Sequence, residues 1–297
     1  MVTGRRNLSN EHLSRPPGSE YDGQAFTFQK IQDSVYIAIG TGNLVVASNS
    51  AIVINDDDVL VVDSHISPAS AWALQDELKS ITDKPIRYVV NTHFHFDHSH
   101  GNQLYPGNVE IIASEFTRDM IVAGESNNGK TFNTMMAGRP QMLADLRDQI
   151  SANTDETQRA ELERELRIQD NYTLAIDSIV PTPPSIALSD QLTLFRGGRE
   201  IRMIHLGRAH TGGDVVVFLP EEKVLMTGDM IVDGTPYMGD AYLTDWIGTL
   251  DNVKNLDFDV ILPGHGQPLK GKSQVDNLRA YIVDLLGKIT EAHSAGV

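Results

Sequence analysis

The sequence predicts a mixed α/β protein, because two kinds of segment alternate along it. Short runs of β-branched and other apolar residues dominate the first third of the chain and return in the last third. Segments with an apolar residue every three or four positions follow these runs, a spacing typical of amphipathic helices. The two halves share a strand–strand–helix order, and 297 residues are enough to bury a full core. We therefore expect one domain over residues 25–297, preceded by a polar tail over residues 1–24.

The first part of this domain contains four predicted strands and one predicted helix. The strands cover residues 45–46, 51–54, 59–62 and 87–91. Turn-forming residues separate the first three, namely Ser48-Asn49-Ser50 and then Asp56-Asp57-Asp58. Ser67 followed by Pro68 marks a helix start, because serine caps a helix N-terminus and proline fits the first turn.

The last third repeats this order, with a different kind of segment before it. Strands are predicted over residues 201–204, 215–219, 224–226 and 260–262, and a final helix over about residues 274–292 with Ser273 as its cap. Residues 114–185 are charged and helix-prone, with an apolar stripe that includes Leu146 and Leu162. We interpret them as a helical insertion, which either fills space and contacts a second subunit in a homo-oligomer or covers the site as a lid.

The composition excludes several classes of protein. With 24 Lys and Arg against 40 Asp and Glu, the formal net charge is −16, which repels nucleic acid and anionic membrane surfaces. The chain has no cysteine, so a disulfide scaffold, a thiol nucleophile and a thiolate-bound metal are excluded. No apolar segment follows Arg5 and Arg6 as it does in a secretory signal. These features predict a cytoplasmic protein that acts on a small molecule, without a nucleic-acid or membrane partner.

The densest group of histidines directly follows the predicted strand at 87–91, in the motif Thr92-His93-Phe94-His95-Phe96-Asp97-His98. In an extended segment, alternate side chains point the same way, so His93, His95 and Asp97 would converge on one side. The two phenylalanines would pack on the other side, and His98 would reach a neighbouring point as the chain curls after Asp97. A solvated loop gives no reason for this alternation.

Three later strand ends carry the same residue types. His210 lies in a turn between two predicted strands, where Gly212 and Gly213 are expected to allow a strained conformation. Asp229 follows the strand at 224–226, and His265 lies between two glycines after the strand at 260–262. We expect all of these side chains to meet at one edge of a β structure.

Seven residues are therefore candidate metal ligands. They are His93, His95, Asp97, His98, His210, Asp229 and His265. Imidazole and carboxylate without thiolate suit zinc, iron or manganese. Seven ligands are too many for one tetrahedral ion with an open position, but they suit two divalent ions that share a bridging carboxylate. Such a pair would lower the pKa of a bound water to about 7 and polarise a carbonyl or phosphoryl oxygen.

These motifs resemble the metallo-β-lactamase superfamily of metal-dependent hydrolases, over about residues 25–115 and 186–270. Asp63, after an early strand, also matches the family's ordered motifs. The resemblance implies an αββα sandwich of two mixed β-sheets flanked by helices, with the metals at one edge between the sheets. It implies a first metal held by His93, His95 and His210, a second held by Asp97, His98 and His265, and Asp229 as the bridge.

The resemblance also implies the chemistry. A zinc-bound hydroxide would be the nucleophile, Asp97 would orient it and pass a proton to the leaving group, and Asp63 and Asp214 would fix the orientation of the ligands. β-Lactam hydrolases that use a cysteine at the second metal differ from this chain. Its ligand pattern is closer to that of glyoxalase II and lactone hydrolases.

We therefore expect a dinuclear zinc hydrolase that acts on a small ester, lactone, thioester or amide, β-lactams included. An iron-dependent oxidoreductase and a hydrolytic dehalogenase of the same superfamily are the alternatives. Tyr242, on the loop that follows Asp229, is the candidate substrate contact, because a tyrosine hydroxyl there would stabilise an oxyanion.

Overall fold

Two β-sheets stacked face to face form the centre of the computed structural model, which describes residues 14–296. The first sheet has seven strands in sequence order. They are β1 (Phe26–Gln32), β2 (Val35–Gly40), β3 (Ser50–Ile54), β4 (Val59–Val62), β5 (Ile86–Val90), β6 (Glu110–Ser114) and β7 (Ile186–Leu188). Neighbouring strands are antiparallel from β1 to β4 and parallel from β4 to β7.

The second sheet has six strands in the order β13-β12-β11-β10-β9-β8. They are β8 (Gln191–Arg196), β9 (Arg199–Ile204), β10 (Val216–Leu219), β11 (Val224–Gly228), β12 (Val260–Pro263) and β13 (Leu269–Lys270). All adjacent pairs are antiparallel except β11 and β12, which run parallel. Each sheet is therefore mixed, with three parallel pairs in the first and one in the second.

α-Helices surround the two sheets. They are α1 (Pro68–Leu78), α2 (Phe96–Ser99), α3 (Glu115–Ala123), α4 (Glu125–Asn128), α5 (Lys130–Met136), α6 (Arg139–Ala152), α7 (Glu156–Asp177), α8 (Leu243–Lys254) and α9 (Ser273–Ser294), with a 3₁₀ helix at Asn102–Leu104. Leu74 of α1 packs in the core on the outside of the first sheet. Trp246 of α8 and Leu278 of α9 pack in the core on the outside of the second.

The layer between the sheets is built by alternation along the strands. Val53 and Leu60 face the second sheet, where Met203 and Val217 belong to the same core, whereas Ile52 faces α1. All five side chains are fully buried, and each such burial contributes roughly 1.5–3 kcal/mol to folding. The result is the αββα sandwich that the resemblance implies.

Most of the predicted elements are present, but one predicted strand is absent and further strands occur that the pattern did not predict. Helix α1 begins as predicted, because the Ser67 side chain accepts the backbone N–H of Ser70 and Pro68 is the first helical residue. Residues 45–46 lie in a loop rather than a strand, and β1 and β2 are strands that the pattern did not predict. Helix α9 begins at Ser273, and Lys272 precedes it without a side-chain cap, so Ser273 is not the cap.

The helical insertion lies between β6 and β7 and consists of α3 to α7. Since β6 and β7 are parallel neighbours, it is an enlarged crossover connection. Tyr172 of α7 packs with Ile66 and Phe96 of the sandwich, and Phe132 and Met136 of α5 lie against this small cluster. The insertion therefore fills space beside the sandwich, and its roles as a lid and as a subunit contact stay predictions.

Residues 14–24 are the described part of the predicted tail, and they lie against two helices. The hydroxyl of Tyr21 donates to Glu77 of α1 at 2.8 Å. The side chain of Asn171 of α7 donates to the backbone oxygen of Glu20, also at 2.8 Å. Over residues 14–296, no helix combines the length and the apolar character needed to span a membrane.

Candidate metal centre

The candidate ligands lie at strand ends along one edge of the sandwich. The residues from His93 to His98 follow β5, next to the end of its parallel neighbour β4, and Asp63 follows β4. Asp229 and His265 follow β11 and β12, the parallel pair of the other sheet. His210 comes from the turn between β9 and β10. The topology thus brings candidate ligands from four distant parts of the chain to one place, with Asp63 beside them.

The motif after β5 bends earlier than its alternation predicts. Helix α2 begins at Phe96 with His95 at its N-cap position, so Asp97 and His98 lie on a helical turn rather than in an extended segment. Phe96 packs toward the insertion, in the cluster with Tyr172. The bend divides the motif between two groups of candidate ligands.

The first group is the three-histidine group, formed by His93, His95 and His210, all of them buried. Nε2 of His93 lies 3.1 Å from Nδ1 of His95, and the same Nδ1 lies 3.0 Å from Nε2 of His210. Three imidazole nitrogens from two parts of the chain therefore converge on one point.

In each of these rings, the nitrogen that points away from the group forms a hydrogen bond, and this bond indicates which ring nitrogen carries the proton. Nε2 of His95 donates to Oδ2 of Asp240 at 3.0 Å, and Nδ1 of His210 donates to the backbone oxygen of Tyr237 at 2.9 Å. In His93, Nδ1 lies 3.0 Å from a hydroxyl oxygen that accepts its proton. In rings held in this way, the three converging nitrogens carry lone pairs, which repel one another unless a cation lies between them. The three-histidine group therefore fits a metal ion.

Asp63 forms hydrogen bonds that connect the outer sides of both groups. Its carboxylate accepts the Thr92 backbone N–H at 2.8 Å and the Thr92 hydroxyl at 2.9 Å, and that hydroxyl in turn accepts from His93. The same carboxylate accepts Nδ1–H of His98 at 2.8 Å. Asp63 has a φ of 67°, which is rare for a residue other than glycine and marks a backbone held in place by these bonds.

The second group is the mixed group, formed by Asp97, His98 and His265. Oδ2 of Asp97 lies 3.1 Å from Nε2 of His265 and 3.4 Å from Nε2 of His98. The His98 and Asp97 side chains are buried, whereas that of His265 is 37% exposed. This group therefore has an open side, as a catalytic metal site requires.

Asp229 lies between the two groups. Its Oδ1 is 3.4 Å from Nε2 of His98, and its Oδ2 is 3.3 Å from Nε2 of His265 and 3.7 Å from Nε2 of His210. Oδ1 of Asp229 and Nε2 of His98 are both buried without a hydrogen-bond partner among the described residues. Two such unpaired atoms facing each other fit a cation between them.

The electrostatics of the mixed group also call for positive charge. Burial alone would lower the pKa of His98, but Asp97, Asp229 and Asp63 around it raise that pKa well above its usual range. Burial likewise would raise the pKa of Asp97 and of Asp229, but the neighbouring imidazoles hold both well below the usual range. In the three-histidine group, burial lowers the pKa of His210 to about 4 and favours the neutral, ligating form.

The turn that carries His210 is held differently from the prediction. Asp214 accepts the backbone N–H and the hydroxyl of Thr211, so it fixes the turn next to His210. Burial raises the pKa of Asp214 to about 7. Gly212 has an ordinary negative φ, and the reason for it is space, because a Cβ there would lie 2.6 Å from the ring of Phe116 in α3.

Two polar residues of this region have no signal in the sequence. Asp240, the acceptor of His95, lies on an irregular loop, and Thr131 of α5 donates its hydroxyl to the same carboxylate. The ring of Tyr242 lies beneath the Arg208 guanidinium, 4.6 Å from it, and its backbone N–H donates to Ala209. Contact between Tyr242 and a substrate stays a prediction.

The chain belongs to the metallo-beta-lactamase superfamily, whose sequence model matches residues 44–113 and 135–265. Solved structures of similar fold include a metallo-beta-lactamase from Pontibacter korlensis, 20% identical with a TM-score of 0.61, covering 86% of this chain and 98% of that one. They also include the metallo-beta-lactamase FIM-1 from Pseudomonas aeruginosa in its mono-zinc form, 19% identical with a TM-score of 0.61, covering 90% and 98%. The predicted family and fold are confirmed, and the fold implies binding of divalent metal.

Curated relatives have several activities. A linear primary-alkylsulfatase of a Pseudomonas species is 24% identical over 250 residues, which are 78% of this chain and 44% of that protein. The alpha subunit of a 2,4-dinitroanisole O-demethylase of a Nocardioides species is 25% identical over 214 residues, 71% and 50%. A type 2 metallo-beta-lactamase of Elizabethkingia meningoseptica is 23% identical over 247 residues, 80% and 77%.

The chain spans about half the length of the first two of these relatives. The superfamily and these relatives together support an enzyme. The closer likeness to glyoxalase II and lactone hydrolases stays a prediction.

Proposed function

We propose that this protein is a metal-dependent hydrolase whose two ligand groups hold a pair of divalent ions, zinc first among them, with Asp229 as the bridge. The observation that carries the proposal is the convergence of three imidazole nitrogens in the three-histidine group, where Nδ1 of His95 lies 3.1 Å from Nε2 of His93 and 3.0 Å from Nε2 of His210. The unpaired Nε2 of His98, facing Asp229, supports a second ion in the mixed group. Imidazole and carboxylate ligands suit zinc, and they also suit iron or manganese.

The residues of the mixed group have distinct tasks in this proposal. Divalent ions bound here would supply a water with a pKa near 7 and a Lewis acid for the substrate oxygen. Asp97 remains ionised beside His98 and His265, so its carboxylate can orient that water, accept a proton and pass it to the leaving group. Asp63 keeps Nε2 of His98 and of His93 directed into the site.

The proposed substrate is a small ester, lactone, thioester or amide, β-lactams included, and the alkylsulfatase and beta-lactamase relatives support hydrolysis. A hydrolytic dehalogenase would use the same residues. The second candidate is an iron-dependent oxidoreductase of the same superfamily, since imidazole and carboxylate ligands also suit iron. Two adjacent ligand groups favour a dinuclear centre over a single iron.

The first test is the metal itself. The protein is expressed with zinc, iron and manganese all supplied, and the metal is counted by plasma mass spectrometry per chain. The proposal expects two equivalents, predominantly zinc. A protein that carries one iron per chain would support the oxidoreductase, and a protein that binds no divalent metal would exclude both.

The second test is hydrolysis. A panel of small esters, lactones, thioesters, β-lactams and an alkyl sulfate is assayed with the metal-loaded protein, with His95→Ala and Asp97→Ala beside it. Turnover of at least one substrate class should disappear in both variants. His293→Ala, at an exposed position of α9, is the matched control and should retain the parent rate. A metal-loaded protein that cleaves none of these bonds would contradict the proposal.

The net charge and the helical insertion bear on the partners of the protein. The net charge of −16 supports a small-molecule substrate rather than nucleic acid or a membrane surface. We propose that the insertion forms the contact between subunits of a homo-oligomer. The molar mass in solution, measured by light scattering, tests this directly. A monomeric mass would exclude it.

A further inference from the structure

We propose that the insertion helix α5 positions a metal ligand, because Thr131 holds Asp240, and Asp240 holds His95. This inference rests on the metal centre of the proposed function. It makes Asp240 and Thr131 positioning residues for the three-histidine group, and it makes docking of α5 and metal binding mutually dependent. The insertion would then be part of the metal centre rather than a covering beside it.

The first link joins the ligand to a carboxylate. His95 turns Nδ1 toward the other two imidazoles and donates Nε2–H to Oδ2 of Asp240 at 3.0 Å. This bond fixes both the tautomer and the plane of the ring, and a carboxylate acceptor makes the lone-pair nitrogen a stronger ligand. His95 is nearly fully buried, whereas the Asp240 side chain is 28% exposed, so Asp240 needs a further contact to stay in place.

The second link joins that carboxylate to the insertion. Thr131 is buried in α5, and its hydroxyl donates to Oδ2 of Asp240, the atom that also accepts from His95. The hydroxyl of Tyr237 lies 3.3 Å from Oγ1 of Thr131. Since a threonine hydroxyl has one proton, and Asp240 receives it, Tyr237 is the donor in this contact. Thr131 thus accepts one hydrogen bond and donates another.

The same tyrosine reaches a second ligand of the group. The backbone oxygen of Tyr237 accepts Nδ1–H of His210 at 2.9 Å. The backbone at Gly239 lies close to the Tyr237 side chain. A Cβ on Gly239 would lie 1.8 Å from the Tyr237 hydroxyl oxygen. His95 and His210 are therefore both held by the segment from Tyr237 to Asp240, and Thr131 is the contact between that segment and α5.

A role for Thr131 within its own helix does not explain these contacts. Gly129 precedes α5 without a side-chain cap, so Thr131 does not cap its own helix, and its hydroxyl bonds to residues more than 100 positions away. Because binding at one point of a coupled network must affect the other to the same extent, metal in the three-histidine group should protect α5, and loss of the Thr131 hydroxyl should weaken metal binding.

The experiment measures zinc binding and backbone protection in the full chain. Zinc affinity is determined by competition with a chromophoric chelator, and hydrogen exchange of α5 is followed with and without zinc. The variants are Asp240→Asn, Thr131→Val and Tyr237→Phe. Thr131→Ser, which keeps the hydroxyl, tests rescue, and Thr134→Val, at an exposed position of the same helix, is the matched control.

Loss of an outer partner of a ligating histidine weakens metal binding by about 10–100-fold. We expect Asp240→Asn to lie in that range, Thr131→Val near its lower end at about tenfold, and Tyr237→Phe below both. Thr131→Ser and Thr134→Val should bind zinc like the parent. Zinc should slow exchange in α5 of the parent and of Thr134→Val, but much less in Thr131→Val.

Two results would overturn the inference, and they differ from each other. If the parent binds zinc and Asp240→Asn and Thr131→Val bind it equally well, the positioning role is wrong while the hydrolase proposal stands. If the parent binds no divalent metal, the metal centre and the inference fall together. A Thr131→Val variant that loses its fold, seen by circular dichroism, leaves Tyr237→Phe and Asp240→Asn to decide the affinity question.

Discussion

The two ligand groups are built differently although they share one edge of the sandwich. The three-histidine group is buried and contains only imidazoles, and each ring has its outer nitrogen engaged by an acceptor. The mixed group contains the carboxylate of Asp97, and its His265 is 37% exposed in a glycine-flanked turn. The difference separates two tasks, because closed sites hold a metal firmly and open sites admit water and substrate. We therefore expect the first group to anchor metal and the second to carry the chemistry.

The largest expected effect comes from removing an anchor. His95→Ala leaves two facing imidazoles and opens a space in the buried group, so both metal content and turnover should fall. Since a metal contributes several kcal/mol of transition-state stabilisation, kcat should drop on the order of 10³-fold. Steady-state kinetics and a metal count check this, and a variant that keeps two equivalents of metal would contradict the anchoring role.

Asp97→Asn tests whether the mixed group carries the chemistry, and it changes the shape of the side chain very little. It removes the proposed base of the mixed group, and loss of a positioned acid–base group costs about 10²–10⁴-fold. We expect kcat to fall near the lower end of that range, with the metal of the three-histidine group retained. Rate measurements at saturating metal separate the two effects, and an unchanged kcat would show that Asp97 is only a ligand.

Asp63→Asn should affect both groups, because this carboxylate holds His98 directly and His93 through Thr92. Zinc affinity should weaken by about 10–100-fold, as for other outer partners of ligating histidines. Competition titrations that resolve two binding steps would show both steps shifted. A shift in only one step would mean that Asp63 serves one group.

The smallest effect is expected in the parent protein itself. Graded chelation should remove metal in two steps, with the equivalent in the mixed group leaving first because His265 is partly exposed. His265→Ala provides the comparison, since it should begin with one equivalent and show only the second step. Simultaneous loss of both metal equivalents from the parent would contradict the proposed difference between the three-histidine group and the mixed group.

The sequence could bring the candidate ligands together because their signal is local. His93, His95, Asp97 and His98 lie within one six-residue segment that follows a strand, and polar residues at the ends of parallel neighbouring strands meet at one edge. The bend at Phe96 was not predictable from alternation, since it depends on how α2 packs against the insertion. The strand predicted at residues 45–46 is wrong, because two apolar residues alone do not define a strand.

The residues behind the ligands could not be predicted, because their contacts are long-range. Asp240 is 145 positions from His95 and 109 positions from Thr131, and each lies in an ordinary polar context of the sequence. Gly212 was correctly singled out for the wrong reason, since the ring of Phe116 rather than backbone strain explains it. Spacing along the chain predicts what strand ends carry, and only the fold shows which loops come together behind them.

His95 follows a strand of the first sheet and His210 lies between two strands of the second, and this placement has a mechanical consequence. The two residues are 115 positions apart, and an ion bound to both would be a cross-link between the halves of the sandwich. A disulfide closing a loop of that length restricts the unfolded chain by about 4–5 kcal/mol. In a chain without cysteine, a metal ion bound in this way would provide the cross-link that disulfides provide in other proteins.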